Sequence, residues 1–158
     1  MERIDNNGLL RSIRYILGVN DKVMSDIFKL GGSSIEEEDV KKILSKEDTP
    51  EFEKCSNIDT EMFLNGLITY KRGKKEGGGT EPEDATGRIN NNDIFKKLRI
   101  AFNLRSEDIM EVFTLAEPTI TAAEISAIAR KEGHRNYKEC GNRYIRVLLK
   151  GLVPYTRK

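Results

Sequence analysis

The chain has 158 residues, 37% hydrophobic and 34% charged, with 27 Lys and Arg against 26 Asp and Glu. That composition excludes a disordered polyelectrolyte and a disulfide-dense scaffold, and the longest apolar stretches, such as Val147 to Leu149, fall far short of the ~20 residues that span a bilayer. The net charge of +1 hides a split: residues 1–70 carry 9 basic and 14 acidic side chains, residues 71–90 carry 5 and 4, and residues 91–158 carry 13 and 8. Opposite halves could help two parts of the chain dock, or the basic half could meet an acidic partner such as nucleic acid. We favour docking, because solvated surface charge is common. Met1 to Asp5 holds no apolar signal segment, and two cysteines fit a reducing compartment, so a cytoplasmic location with no membrane association is expected.

The chain contains itself twice. Displaced by 85 residues, Asn6–Leu67 falls on Asn91–Leu152 without a gap, and 14 of the 62 pairs are identical, among them Asn6/Asn91, Asn7/Asn92, Arg14/Arg99, Leu30/Leu115, Lys46/Lys131, Cys55/Cys140 and Gly66/Gly151. The predicted organisation is a first helical repeat over 1–70, a flexible Gly-rich linker over 71–90 and a second repeat over 91–158. A unit this short is near the size where a lone core is marginal, so the copies are expected to share a core and to be related by pseudo-twofold symmetry.

Each copy reads as four helices. Leu9, Leu10, Ile13, Ile16 and Leu17 fall on one helical face, matched by Ile94, Phe95, Leu98, Ala101 and Phe102. Asn7 and Asn92 are capping types, and Gly18 and Asn103 tolerate the positive φ of a helix stop. The second helix follows the capping types Asp21 and Ser106 and buries Met24, Ile27 and Phe28, or Ile109, Val112 and Phe113. It ends at Gly31-Gly32 in one copy and at Glu117-Pro118 in the other. For the third, Thr121 with Glu124 fits a capping box; Ser33 or Ser34 with Glu36 or Glu37 is the expected counterpart. A connection of about ten residues carries Phe52 or Tyr137 and then Cys55 or Cys140. The fourth helix buries Met62, Phe63 and Leu67, or Ile145, Leu148, Leu149 and Leu152, with Pro154 as its expected stop. Leu67 to Tyr70 is a weak strand candidate. The linker combines Gly77-Gly78-Gly79, Pro82 and four acids, a composition of exposed flexible chain.

Three strings then stand out together: Arg88 to Phe102, the triplet Glu139-Cys140-Gly141, and Gly66 to Lys74. They resemble the bacterial YehS-like family, and the resemblance covers nearly the whole chain, duplication included. It implies a small bacterial protein built as a tandem helical repeat. That family has no assigned function, so it supplies no catalytic residues.

The duplicated thiols Cys55 and Cys140 each precede a helix, where a thiol can be activated, or joined to a partner as a redox clasp. Cysteine is also among the most often buried small residues, and we favour a structural role. Arg14 and Arg99 edge the first-helix stripe; they fit ion pairs, with Asp26 and Glu111 as candidate partners, or a repeated anion contact. Arg143, Arg146 and Lys150 line up opposite the fourth-helix stripe and could present a basic face to nucleic acid, with Lys71, Arg72, Lys74 and Lys75 as further candidate contacts. Against a helix-turn-helix, the preceding connection is too long, and copy one has Ile58, Glu61 and Asn65 at the three positions. The lone His134 sits in a loop. No metal, cofactor or phosphate-loop motif is present, and no cofactor is expected. The expectation is therefore an all-α protein of two four-helix repeats, non-enzymatic, binding a protein partner; nucleic-acid binding through the second repeat ranks next, and an enzyme or thiol sensor last.

Overall fold

The computed structural model describes residues 3–73 and 85–157. Among these residues there are eight helices and no strand: α1 (Asn6–Leu17), α2 (Asp21–Leu30), α3 (Glu37–Ile43), α4 (Asn57–Arg72), α5 (Asn91–Ala101), α6 (Ser106–Ala116), α7 (Ala122–Ala129) and α8 (Asn142–Thr156). The stretch Leu67 to Tyr70 is helical, not extended. Lys74, Lys75 and most of the linker lie outside the described residues. The chain divides into two compact units, Asp5–Ile89 and the chain from Asn90 onward together with the segment ending at Ile4.

Local chemistry sets the helix ends. Asp5 caps α1 by accepting from the Gly8 N–H at 2.8 Å, and Asn90 caps α5 by accepting from the Asp93 N–H at 2.8 Å. The expected caps Asn7 and Asn92 lie inside their helices, because their side chains are engaged elsewhere. In the second helices the caps are Asn20 and Arg105, one residue before Asp21 and Ser106. At α3 the cap is Glu36, whose N–H is held by Asp39 at 2.9 Å; Ser33 instead donates to Asp59. Gly18 and Asn103 do adopt positive φ, at 65° and 53°. Pro154 does not stop α8, which runs on to Thr156: a proline near a helix end removes a single intrahelical bond, and the Thr156 hydroxyl donates back to the Leu152 carbonyl at 2.8 Å.

Each unit centres on its second and fourth helices. A Cβ on Gly66 would overlap the Ile27 carbonyl of α2, and one on Gly151 would overlap the Val112 carbonyl of α6. Only glycine lets the backbones approach this closely, which accounts for the identity of this pair in both copies. The aromatic filling is redistributed between the units. Phe28 packs on Phe63 of α4 with ring centroids 4.9 Å apart, whereas its counterpart Phe113 packs on Phe95 of α5 at 6.3 Å. Where one copy has Leu10 with Phe63, the other has Phe95 with Leu148, all four buried. One phenyl ring has moved between two helices at nearly constant core volume, the kind of exchange cores tolerate best.

A side-chain clasp closes each unit. The Asn7 amide donates to the carbonyls of Ile43 and Glu53 at 2.9 and 2.8 Å, and its oxygen accepts from the Cys55 N–H at 3.0 Å. Asn92 repeats this with Ile128, Lys138 and Cys140 at 3.0, 3.0 and 2.8 Å. Beside it, Asn6 reaches the Cys55 carbonyl and Asn57, and Asn91 reaches the Cys140 carbonyl and Asn142. The start of one helix thus satisfies the end of another and the entry to a third, groups that would otherwise be orphaned. Four of the fourteen identical pairs belong to this clasp.

Short arms complete the units. The Ile4 N–H donates to the Asn91 side chain at 2.9 Å. In the other unit the N–H groups of Thr86 and Gly87 both donate to Glu61 Oε1, at 3.0 and 2.9 Å, and Ile89 is buried.

Candidate binding faces and the cleft of the second repeat

Arg143, Arg146 and Lys150 are exposed along α8 as expected. The face is not purely basic, because Glu117 lies at its foot with a carboxylate oxygen 3.9 Å from Arg143. A hydrogen bond from the Thr119 hydroxyl at 2.7 Å, followed by the positive fields of Arg143 and Lys150, holds the Glu117 carboxyl below its ordinary range. In repeat one the matching residues behave differently. Ile58 is exposed, while Glu61 and Asn65 are buried, Glu61 under the arm at Thr86 and Gly87. Lys71 and Arg72 are exposed at the end of α4, in the unit that does not contain α8.

The second unit holds a cleft of about 610 Å³ between α5 and the chain leaving α7. Its basic lining is Lys96, Arg99, Arg130 and Lys131; Asp93 and Glu132 are its acids, and Ile100, Ile128 and Tyr137 give it apolar walls. Asp93 already accepts from the Asn90 N–H at 2.9 Å. Burial, then the nearby carboxylates of Glu132, Glu139 and Asp93, raises the Tyr137 hydroxyl above its ordinary range, so it keeps its proton. Two turns shape the rim: His134 N–H donates to the Lys131 carbonyl, and Tyr137 N–H to the His134 carbonyl. The same bonds recur in repeat one, from Thr49 to Lys46 and from Phe52 to Thr49. No local motif marks this cleft in the sequence. The available signal was that three charged pairs kept identical, Arg14/Arg99, Lys46/Lys131 and Glu47/Glu132, map to its wall in the second repeat.

The duplicated arginines differ in partner. Arg14 pairs with Asp21 at 2.7 Å, not with Asp26, which is engaged by Lys22. The expected Glu111 is not the partner of Arg99 either; Arg99 donates through Nε to the Leu104 carbonyl at 3.0 Å. Asp21 corresponds to Ser106, so the second repeat has lost that carboxylate.

Both cysteines are free and buried. Thr60 donates to Cys55 Sγ at 3.3 Å. Burial pushes the Cys140 thiol up to about 12, the opposite of the activation that its place before α8 could have produced. His134 is exposed, and its Nδ1 accepts from the Asn136 N–H at 3.0 Å.

Two copies of one four-helix unit, each closed by the same asparagine clasp, define an all-α tandem-repeat protein. The chain belongs to the family described as "Protein of unknown function (DUF1456)", whose model matches it twice, over residues 6–73 and 91–158. It is similar to "Uncharacterized protein YehS" of Escherichia coli (strain K12), with 43% identity over 149 residues and 94% of each chain covered. No solved structure matches it. No helix among the described residues is long and apolar enough to cross a membrane.

Proposed function

We propose that the chain is a non-enzymatic binding module of the cytoplasm that presents the same contact once per repeat to a protein partner. The observation that carries this reading is Leu30/Leu115. Among the described residues it is the one apolar pair kept identical that faces solvent in both copies, at 37% and 50% exposure. Burial, only partial at Ile35, accounts for the other identical apolar pairs; these two leucines, at the ends of α2 and α6, stay in water, where a partner would gain by covering them. Free thiols in both repeats support the cytoplasmic part of the reading.

The test is site-specific photocrosslinking in cells from a probe replacing Lys29 or Thr114, next to each leucine. A discrete protein adduct from both sites, lost in the Leu30→Glu, Leu115→Glu double variant while the helical spectrum is retained, supports the module. Adducts unchanged by the double variant refute it. A second reading, nucleic-acid binding, rests on the exposed trio Arg143, Arg146 and Lys150. It requires duplex binding that weakens with salt in proportion to the phosphates neutralised, and a shallower salt slope when the trio is replaced by glutamine.

A further inference from the structure

We propose that the cleft between α5 and the chain following α7 binds a small organic phosphate, with Arg99 as the fixed fork that receives the oxyanion. This goes beyond the protein-binding reading and does not depend on it.

The cleft has the capacity of a small-molecule site, about 610 Å³. Its charge favours a dianion: four cations line it against two carboxylates, and Asp93 is already occupied by the Asn90 N–H. Arg99 is oriented for the task. Its Nε is tied to the Leu104 carbonyl, which fixes the plane of the guanidinium, and its two terminal nitrogens take no partner among the described residues. A planar fork held at one end is suited to bidentate contact with phosphate. Lys96, Arg130 and Lys131 add positive field around it, and Tyr137 adds a protonated hydroxyl. Ile100, Ile128 and the Tyr137 ring offer apolar surface to the carbon body of the ligand.

The comparison with repeat one argues that the charge is not incidental. Arg14 has the same place in its copy but is neutralised by Asp21 at 2.7 Å. In repeat two that carboxylate is Ser106, the position of Asp5 is Asn90, and the position of Ser45 is Arg130. Each of these exchanges makes the second copy more positive. The opposite exchange, Gly8 to Asp93, adds the carboxylate that is taken up in the helix cap.

The test uses the full chain with AMP and glucose 6-phosphate as probes, followed by calorimetry and by the side-chain NMR signals of Arg99 and Tyr137. Inorganic phosphate represents the head alone, adenosine the body alone and succinate a carboxylate dianion. Expected is saturable binding of at least one organic phosphate that shifts Arg99 Nε and Tyr137, weaker binding of inorganic phosphate, and none of adenosine. Arg99→Gln should weaken binding by about tenfold or more. Ser106→Asp should do the same, because it restores the neutralising carboxylate of repeat one. Its fold is safe, since aspartate at the first residue of a helix is favourable and stands at the matching place in α2. The proposal is overturned if neither organic phosphate saturates, if succinate binds as tightly as phosphate, if duplex DNA binds and the small phosphates do not, or if both variants bind like the parent.

Discussion

Gly66 to alanine is the sharpest test of the packing described above. In an open helix this change stabilises by about 1 kcal/mol, because alanine loses less backbone freedom. Here the added methyl would overlap the Ile27 carbonyl and lie 2.8 Å from the Gly31 nitrogen, where real Cβ atoms keep at least 3.0 Å. The obstacle is backbone on both counts, so no side chain can swing away, and the helices must part by about 1 Å. A gap of about 0.5–1 Å forfeits roughly a quarter to a half of the dispersion contact across a seam, and the lower fraction applies where the helices relax around the methyl. The six side chains Met24, Ile27, Phe28, Phe63, Leu64 and Leu67 are all buried on these two helices. At about 2 kcal/mol each they would lose about 3 kcal/mol together. Net of the helix gain, Gly66→Ala should destabilise by about 2 kcal/mol and lower the urea midpoint by about 1 M. Gly151→Ala should match it against Val112. Gly8→Ala is the control: its Cβ would meet the exposed Asp5 carboxylate at 3.2 Å, and since that oxygen also caps α1, a small shift there offsets the helix gain and the change should be within about 0.5 kcal/mol of the parent. A Gly66→Ala midpoint equal to that of the parent would refute the close-approach account.

Three further outcomes are expected. Asn92→Ala leaves two carbonyls and the Cys140 N–H without their partner and should destabilise by about 3 kcal/mol in the same urea assay. Cys140 keeps its proton up to about 12 when folded and loses it near 9.0 when unfolded, so the unfolded chain binds fewer protons between those values. Stability should therefore fall as pH rises through that window and be unaffected below it, and Cys140→Ala should remove this dependence. Glu61→Ala should speed amide exchange at Thr86 and Gly87 by about tenfold or more, read by hydrogen-exchange NMR.

Much of the fold was legible because duplication doubles the evidence for each periodic stripe: Leu9 to Leu17 and Ile94 to Phe102 point to the same helix independently. Element ends were less legible. Asn7 and Asn92 look like caps because asparagine caps helices, yet their amides serve groups 36 to 48 residues away, a separation that no local rule senses. Pro154 fails as a stop for the converse reason, since it sits where the helix has few bonds left to lose. The site was least legible. The cleft is formed by α5 and the turn after α7, and its one fixed donor is distinguished from Arg14 by the identity of a residue seven places on, Asp21 or Ser106. The arm was missed because Arg3-Ile4 and Arg88-Ile89, which also match at the 85-residue displacement, precede the first helical stripe.

The arms also bear on the order in which a ribosome can finish this molecule. In the eighteen-kilodalton chain neither unit can make all of its contacts until the residues that follow the first repeat are present. When α4 has emerged, Glu61 is still waiting for the amides of Thr86 and Gly87, and Ile89 has yet to fill its place. At ordinary translation speeds those residues follow on the order of a second later. The nascent first unit therefore carries an unanswered carboxylate until the last residues of its own span, Thr86 to Ile89, have been made. Ile4, the earliest segment described, waits longer still, until Asn91 arrives to accept its N–H.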